Sequence, residues 1–125
     1  MLEIPKKVKK PWGAESWNLT DKFCFKQIHI NKGFRTSLQY HNEKLELIHM
    51  VKGRAIIELG DDPKNLKQQK MKKGDVIIIQ PGTIHRTNAI TDIDFYEVST
   101  PEVHDVFRIE DDTNRPDGKI EEEHA

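Results

Sequence analysis

Turn-forming clusters recur at short intervals along the chain, and they limit its folding choices more than any other feature. "NKG" ends at Gly33, "VKG" at Gly53, and "GDDP", "KKGD" and "QPGT" occupy 60–63, 72–75 and 80–83. Each brings together the glycine, proline, aspartate or asparagine that tight turns require. Between them lie short β-prone runs: "FCFKQIHI", "RTSLQYH", "LELIHMV", "RAIIEL", "DVIIIQ", "IHRTNAI" and "DIDFYEV". No interval leaves room for a long amphipathic helix, so the pattern predicts an all-β sandwich or barrel. The run 63–72, "PKNLKQQKMK", has poor strand composition and is expected as an edge strand or exposed loop. Beyond Pro101, "PEVHDVFR" has room for one or two helical turns. "IEDDTNRPDGKIEEEHA" follows as a charged tail expected to fray.

Length predicts a single domain over residues 1–125, with an N-terminal arm at about 1–13 and a charged tail at about 110–125. A net charge of -1 supplies no bulk attraction to nucleic acid or membrane, and the lysines of the first ten residues read as a solvated arm. Cys24 is the only cysteine, which rules out an internal disulfide and a cysteine-rich zinc ribbon. Within "FCF" it reads as a packed small hydrophobe. The N-terminal residues lack the apolar stretch of a signal peptide, and "VIII" at 76–79 is far short of a membrane span. A soluble cytoplasmic protein is the expectation.

Side chains alternate along a strand, so period two decides which residues share a face. Arg35, Ser37, Gln39 and His41 share one face, opposite Thr36, Leu38 and Tyr40. Glu46, Ile48 and Met50 share another, opposite Leu47, His49 and Val51. A polar row facing inward is too rich in hydrogen-bonding groups for an inert core, and it calls for a ligand.

Two motifs give that ligand a character. The first reads Gly33, "FRTSL", Gln39, Tyr40, His41, "NEKL", Glu46, "LIHMVK", Gly53. The second reads Gly74, "DVIIIQ", Pro81, Gly82, "TI", His85, "RT", Asn88. Together they resemble the paired motifs of the cupin superfamily, with glutamine at the first histidine position, the proline displaced by one and the final gap one shorter. The resemblance implies a double-stranded β-helix, or jelly-roll barrel. It also implies a divalent metal held by Gln39, His41, Glu46 and His85. "KPWG", "SLQYH", "PGTIHR", "EVSTPE" and "RIEDD" further resemble the mannose-6-phosphate isomerase-like cupins, over about residues 10–115. These are similar to the C-terminal domain of type II, guanylyltransferase-fused isomerases. Where those relatives often carry a second histidine, this chain has Glu43, which is left open as a ligand, a base or a bystander.

Two imidazoles, a carboxylate and an amide oxygen form a borderline donor set suited to Zn, Mn, Fe, Co or Ni, with positions open for substrate. Gln39 either ligates or only hydrogen-bonds to a ligand. An open metal polarises a carbonyl and its neighbouring hydroxyl, as aldose–ketose isomerisation requires. The expected proton-transfer residue is Glu43 or Lys26. The cationic anchors for a phosphate are expected in Arg35 and Arg86. His49, on the face opposite Glu46, is expected at the surface or a subunit contact. His29, His104 and His124 read as structural or solvated, and Trp12 as a packing anchor. "RIEDD" reads either as shaping the pocket mouth or as a solvated charge run.

The leading functional expectation is a metal-dependent sugar-phosphate isomerase. The alternatives are another cupin enzyme of surface-sugar or nucleotide-sugar metabolism, and a cupin that binds metal or carbohydrate without catalysis. A homodimer is expected, paired through an edge strand or the "KPWG" arm.

Overall fold

The computed structural model describes residues 1–116 and 118–120. Among the described residues, twelve strands form two six-stranded sheets in which every pairing is antiparallel. In chain order they are β1 (Lys6–Lys10), β2 (Gly13–Leu19), β3 (Cys24–Ile30), β4 (Leu38–Tyr40), β5 (Glu46–Lys52) and β6 (Arg54–Gly60). β7 (Lys67–Lys72), β8 (Val76–Ile79), β9 (Ile84–Ala89), β10 (Ile93–Ser99), β11 (Val106–Glu110) and β12 (Gly118–Ile120) follow. Sheet I runs β1-β2-β3-β10-β5-β8 and sheet II runs β12-β11-β4-β9-β6-β7. The jelly-roll expectation is met. Among the described residues no helix is long and apolar enough to cross a membrane.

Several local expectations change. Within the N-terminal arm, β1 pairs with β2 of its own chain from Lys6↔Trp17 to Lys10↔Gly13, with Lys6, Lys7 and Lys9 exposed. The helical turns expected in "PEVHDVFR" give way to a turn and then β11, whose inward residues Val106 and Arg108 are buried. Tertiary pairing with β4 and β12 overrides the weak local signal there. Part of the expected tail is ordered: Asp111 accepts hydrogen bonds from the backbone and guanidinium of Arg115. Residues 121–125, with His124, lie outside the described residues. β7 is the edge strand expected within 63–72.

The inner faces of the two sheets enclose the core, where Ile28, Ile48 and Phe95 from sheet I meet Ile57 and Ala89 from sheet II, joined by Trp12. Polarity is split along the strands. On β5, Ile48 and Met50 enter the apolar core while Glu46 lies at the other end. On β10, Ile93 and Phe95 do so while Glu97 does not. Register aligns these polar ends, with Glu97 opposite Lys26 and Ser99 opposite Glu46. The barrel therefore has a greasy half and a charged half.

The crossing between sheets after β5 takes a single residue. Gly53 has φ +86, and a Cβ there would sit 2.2 Å from the Asp92 carbonyl oxygen. Only glycine meets both demands at this corner.

Candidate metal centre

His41 follows β4, Glu46 opens β5 and His85 lies on β9, so three separate elements deliver the cluster. All three side chains are buried, and one ligand atom from each falls within 4.8 Å of the others. His41 Nε2 lies 2.9 Å from Glu46 Oε1, and His85 Nε2 lies 3.0 Å from the same oxygen.

The hydrogen bonds behind the imidazoles decide which way the lone pairs point. His41 Nδ1 lies 2.7 Å from the Asp105 carbonyl oxygen, and His85 Nδ1 lies 2.9 Å from that of Thr83. A carbonyl only accepts, so Nδ1 must carry the hydrogen in both rings. In a neutral ring Nε2 is then the lone pair, and it faces Glu46. Despite their closeness, His41 Nε2 and Glu46 Oε1 are buried without a hydrogen-bond partner of acceptable geometry. Two lone-pair nitrogens and a carboxylate oxygen converging without a shared proton fit a divalent cation. The donor set suits a borderline first-row metal.

Electrostatics reinforce this. Burial pushes the His41 imidazole below its usual value, which keeps it neutral and able to ligate. Burial alone would raise the Glu46 carboxyl. The Lys44 ammonium leads the opposing pulls, and Glu46 is held well below the usual range.

Behind the cluster runs a ladder of buried charge. Lys44 Nζ lies 3.9 Å from Glu46 Oε2 and 3.8 Å from Glu97 Oε2. Lys26 Nζ lies 3.8 Å from both Glu97 Oε2 and Glu15 Oε1, and stands 4.0 Å over the Trp17 ring. Trp17 Nε1 donates to Glu15 Oε1 at 2.7 Å. Burial, with Glu46 close by, pushes the Glu97 carboxyl well above the usual carboxylate range against the pull of both lysines.

A cavity of about 40 Å³ opens beside the cluster, walled by Glu46, His85, Gln39, Ser37 and Glu97, with Arg108 and Arg115 also reaching it. Gln39 pairs in register with His85, and its Oε1 accepts from Ser37 Oγ at 2.8 Å. Lys26 stands behind the wall, 3.8 Å from Glu15 and Glu97, two of the acids that line it.

The remaining expected residues fall elsewhere. Glu43 is exposed in the loop before β5, where its backbone N–H donates to Asp105 Oδ2, and it does not line the cavity. Arg35 makes a bidentate contact with Asp112, at 2.7 and 2.8 Å, and Arg86 is buried with Nη2 3.8 Å from the same carboxylate. These two arginines meet at Asp112 instead of at the cavity wall. His49 is exposed, and His29 contacts Asp94.

Sequence reasoning missed Lys44, Glu97, Glu15 and Asp105. Glu97 was within reach, since strict alternation through Ile93, Phe95 and Ser99 puts it on the inward face. Lys44 and Asp105 lie in loops, where no period applies.

The model of the cupin domain matches residues 27–99, more than half of the chain. The chain belongs to the cupin family. No curated protein matches it in sequence. Among solved structures it is similar to oxalate decarboxylase from Bacillus subtilis, with a TM-score of 0.72 and 13% identity over 84% of this chain and 30% of that one. CapF, solved with the inhibitor 3-isopropenyl-tropolone, gives 0.70 and 17% over 86% of this cupin and 35% of CapF. KdgF from Halomonas sp. gives 0.68 and 15% over 78% of this cupin and 86% of KdgF. This cupin spans less than a third of the decarboxylase chain. At such identities the likeness is one of fold, and it does not distinguish the mannose-6-phosphate isomerase-like subtype. The decarboxylase is described with Mn(II) centres.

Proposed function

We propose that this cupin is a metal-dependent isomerase of a small anionic sugar, such as a sugar phosphate, moving a proton between adjacent carbons of a hydroxy-carbonyl unit. The carrying observation is the juxtaposition of the His41–Glu46–His85 cluster with a second carboxylate, Glu97, in the wall of the same cavity. A divalent ion held there, with Gln39 as a candidate fourth ligand, would polarise the carbonyl and acidify the neighbouring C–H.

The chain's own residues supply the rest. Glu97 is positioned to accept and return the proton, and Lys26 and Lys44 hold its carboxylate in place. Arg108, reaching the cavity, favours an anionic substrate, while Arg115 reaches it with its guanidinium paired to Asp111. Arg35 and Arg86 remain phosphate anchors only if the anion takes the place of Asp112. The small cavity favours one second reading, a cupin that holds a metal and a small anion without turnover.

Metal analysis followed by a sugar-phosphate panel in D₂O, monitored by NMR, tests the proposal. Solvent deuterium at C1 or C2 of one substrate is the expected result. Metal-loaded protein that exchanges no proton in any member of the panel would favour the non-catalytic reading.

A further inference from the structure

Two arginines meet on the outer face of sheet II. On β9, Thr87 and Ala89 turn inward, so Arg86 and Asn88 turn outward, and Arg35 is bridged to Asn88. Neither Arg35 nor Arg86 lines the metal cavity. Arg86 is only 3% exposed, an unusual depth for a guanidinium. Its Nε donates to the Thr36 carbonyl oxygen at 3.1 Å, yet Nη2 is buried with no hydrogen-bond acceptor among the described residues. The Asp112 carboxylate stands 3.8 Å from Nη2, because both its oxygens are taken by Arg35, at 2.7 and 2.8 Å.

We propose that Arg35 and Arg86 form an anion site outside the barrel, that Asp112 is its built-in stopper, and that a phosphate group displaces the stopper and so loosens a wall of the metal cavity. Oxygen count decides the ligand class. A carboxylate has two oxygens, and Arg35 uses both. A phosphate gives two to the Arg35 fork and a third to Arg86 Nη2, which satisfies the buried donor. Burial first, and Arg35 beside it, hold the Arg86 guanidinium below its ordinary value, so the pair gains from more negative charge than Asp112 brings. Entry is open, since the Arg35 and Asp112 side chains are 35% and 49% exposed. Glu58 and Glu110 also act on the pair, so the anion must replace Asp112 and not join it. Glu110, 65% exposed, can turn into water and opposes the exchange only weakly.

Displacement reaches the cavity along the chain. Asp112 belongs to the connection between β11 and β12, whose Arg115 lines the cavity while paired to Asp111. Residues 111–116 are tied to the barrel by the Arg35–Asp112 clamp and by Arg108 Nη1, which donates to the Pro116 carbonyl oxygen at 3.1 Å. Releasing the clamp frees Arg115 to withdraw. The cavity, about 40 Å³, can then widen toward the roughly 300 Å³ at which small-molecule pockets begin. The phosphate acts here as an effector, whether or not the cavity isomerises a sugar.

Calorimetric titration with inorganic phosphate, against sodium chloride at equal ionic strength, tests the site. The proteins are the metal-loaded wild type, Arg35→Gln, Asp112→Asn and the His41→Ala, His85→Ala double variant, each checked for folding by circular dichroism. Asp112→Asn should bind phosphate roughly 10-fold more tightly than the wild type, and Arg35→Gln roughly 10-fold more weakly. The double variant should keep the binding. Phosphate lost in the double variant but kept in Arg35→Gln would be bound at the metal and would overturn the site. Should Arg35→Gln fail to fold, an Asp112→Asn protein that binds no tighter overturns it as well. Hydrogen–deuterium exchange reads the coupling at the Arg115 amide, which donates to Asp111 Oδ2. Exchange there should quicken with phosphate, and in Asp112→Asn without it. Bound phosphate that leaves this amide unchanged or slower would overturn the release of the wall.

Discussion

Gln39 on β4 stands directly opposite His85 on β9, and this register pair joins the two halves of the candidate metal centre. A second tie lies close by, where the Gly82 backbone N–H donates to the His41 carbonyl oxygen at 2.6 Å. The β4 end and the turn before β9 are thus locked together before any metal arrives. Preorganisation of this kind would let the three buried side chains receive an ion without rearrangement.

Removing a ligand should remove the metal. His41→Ala, Glu46→Gln and His85→Ala should each lower affinity by more than about 100-fold, beyond what loss of an outer hydrogen bond costs. Metal content by elemental analysis should read one ion per chain in the wild type and near none in each variant. Full occupancy in the His41→Ala, His85→Ala double variant would place the metal elsewhere.

Metal affinity should also fall with acid. His41 is held below the ordinary imidazole value of 6.5 by burial, so the folded chain keeps it neutral where a free histidine is already protonated. Its contribution to folding is present above 6.5 and is lost as pH falls through its lower folded value. Metal release followed by pH titration should therefore have its midpoint below 6.5.

Glu97 and Glu43 should separate in kinetics. Glu97 lines the cavity and Glu43 is exposed outside it. Glu97→Gln should lower kcat by roughly 100-fold or more with metal retained, in line with loss of a general base. Glu43→Gln should leave kcat within about twofold. The opposite pattern would return the proton-transfer role to Glu43.

Lys44→Met should destabilise the metal-free protein by about 3–5 kcal/mol, because it leaves Glu46 buried without its ammonium partner, whereas Glu97 keeps Lys26. Urea denaturation reads this directly, and a loss under 1 kcal/mol would mean water reaches the two acids.

Acid should loosen two loops before the sheets. Burial would raise Asp105, but the backbone N–H groups of Glu43, Asn42 and Lys44 outweigh it and hold it below the ordinary 3.8. Asp111, beside Arg115, is held well below the same value. Both bind protons more readily when unfolded, so the stability they lend is present above 3.8 and is lost as pH falls through their folded values. Asp105→Asn should flatten that acid limb in pH-dependent melting.

Sequence alone determined the strand-and-turn rhythm and both metal motifs, because turn chemistry and period-two alternation are local. That Glu46, Ile48 and Met50 share one face followed from alternation, while the closed barrel decided that this face points inward. β1, β2 and β11 were not legible, since "KKVKK" and "VFRIE" become strands only when β2 and β4 offer a ladder. The same limit hid Lys44 and Asp105, which are in loops, and left Arg35 assigned to the substrate when Asp112, remote in sequence, claims it. Only the closed barrel decided these, because the field at a buried charge comes from neighbours that the chain order does not reveal.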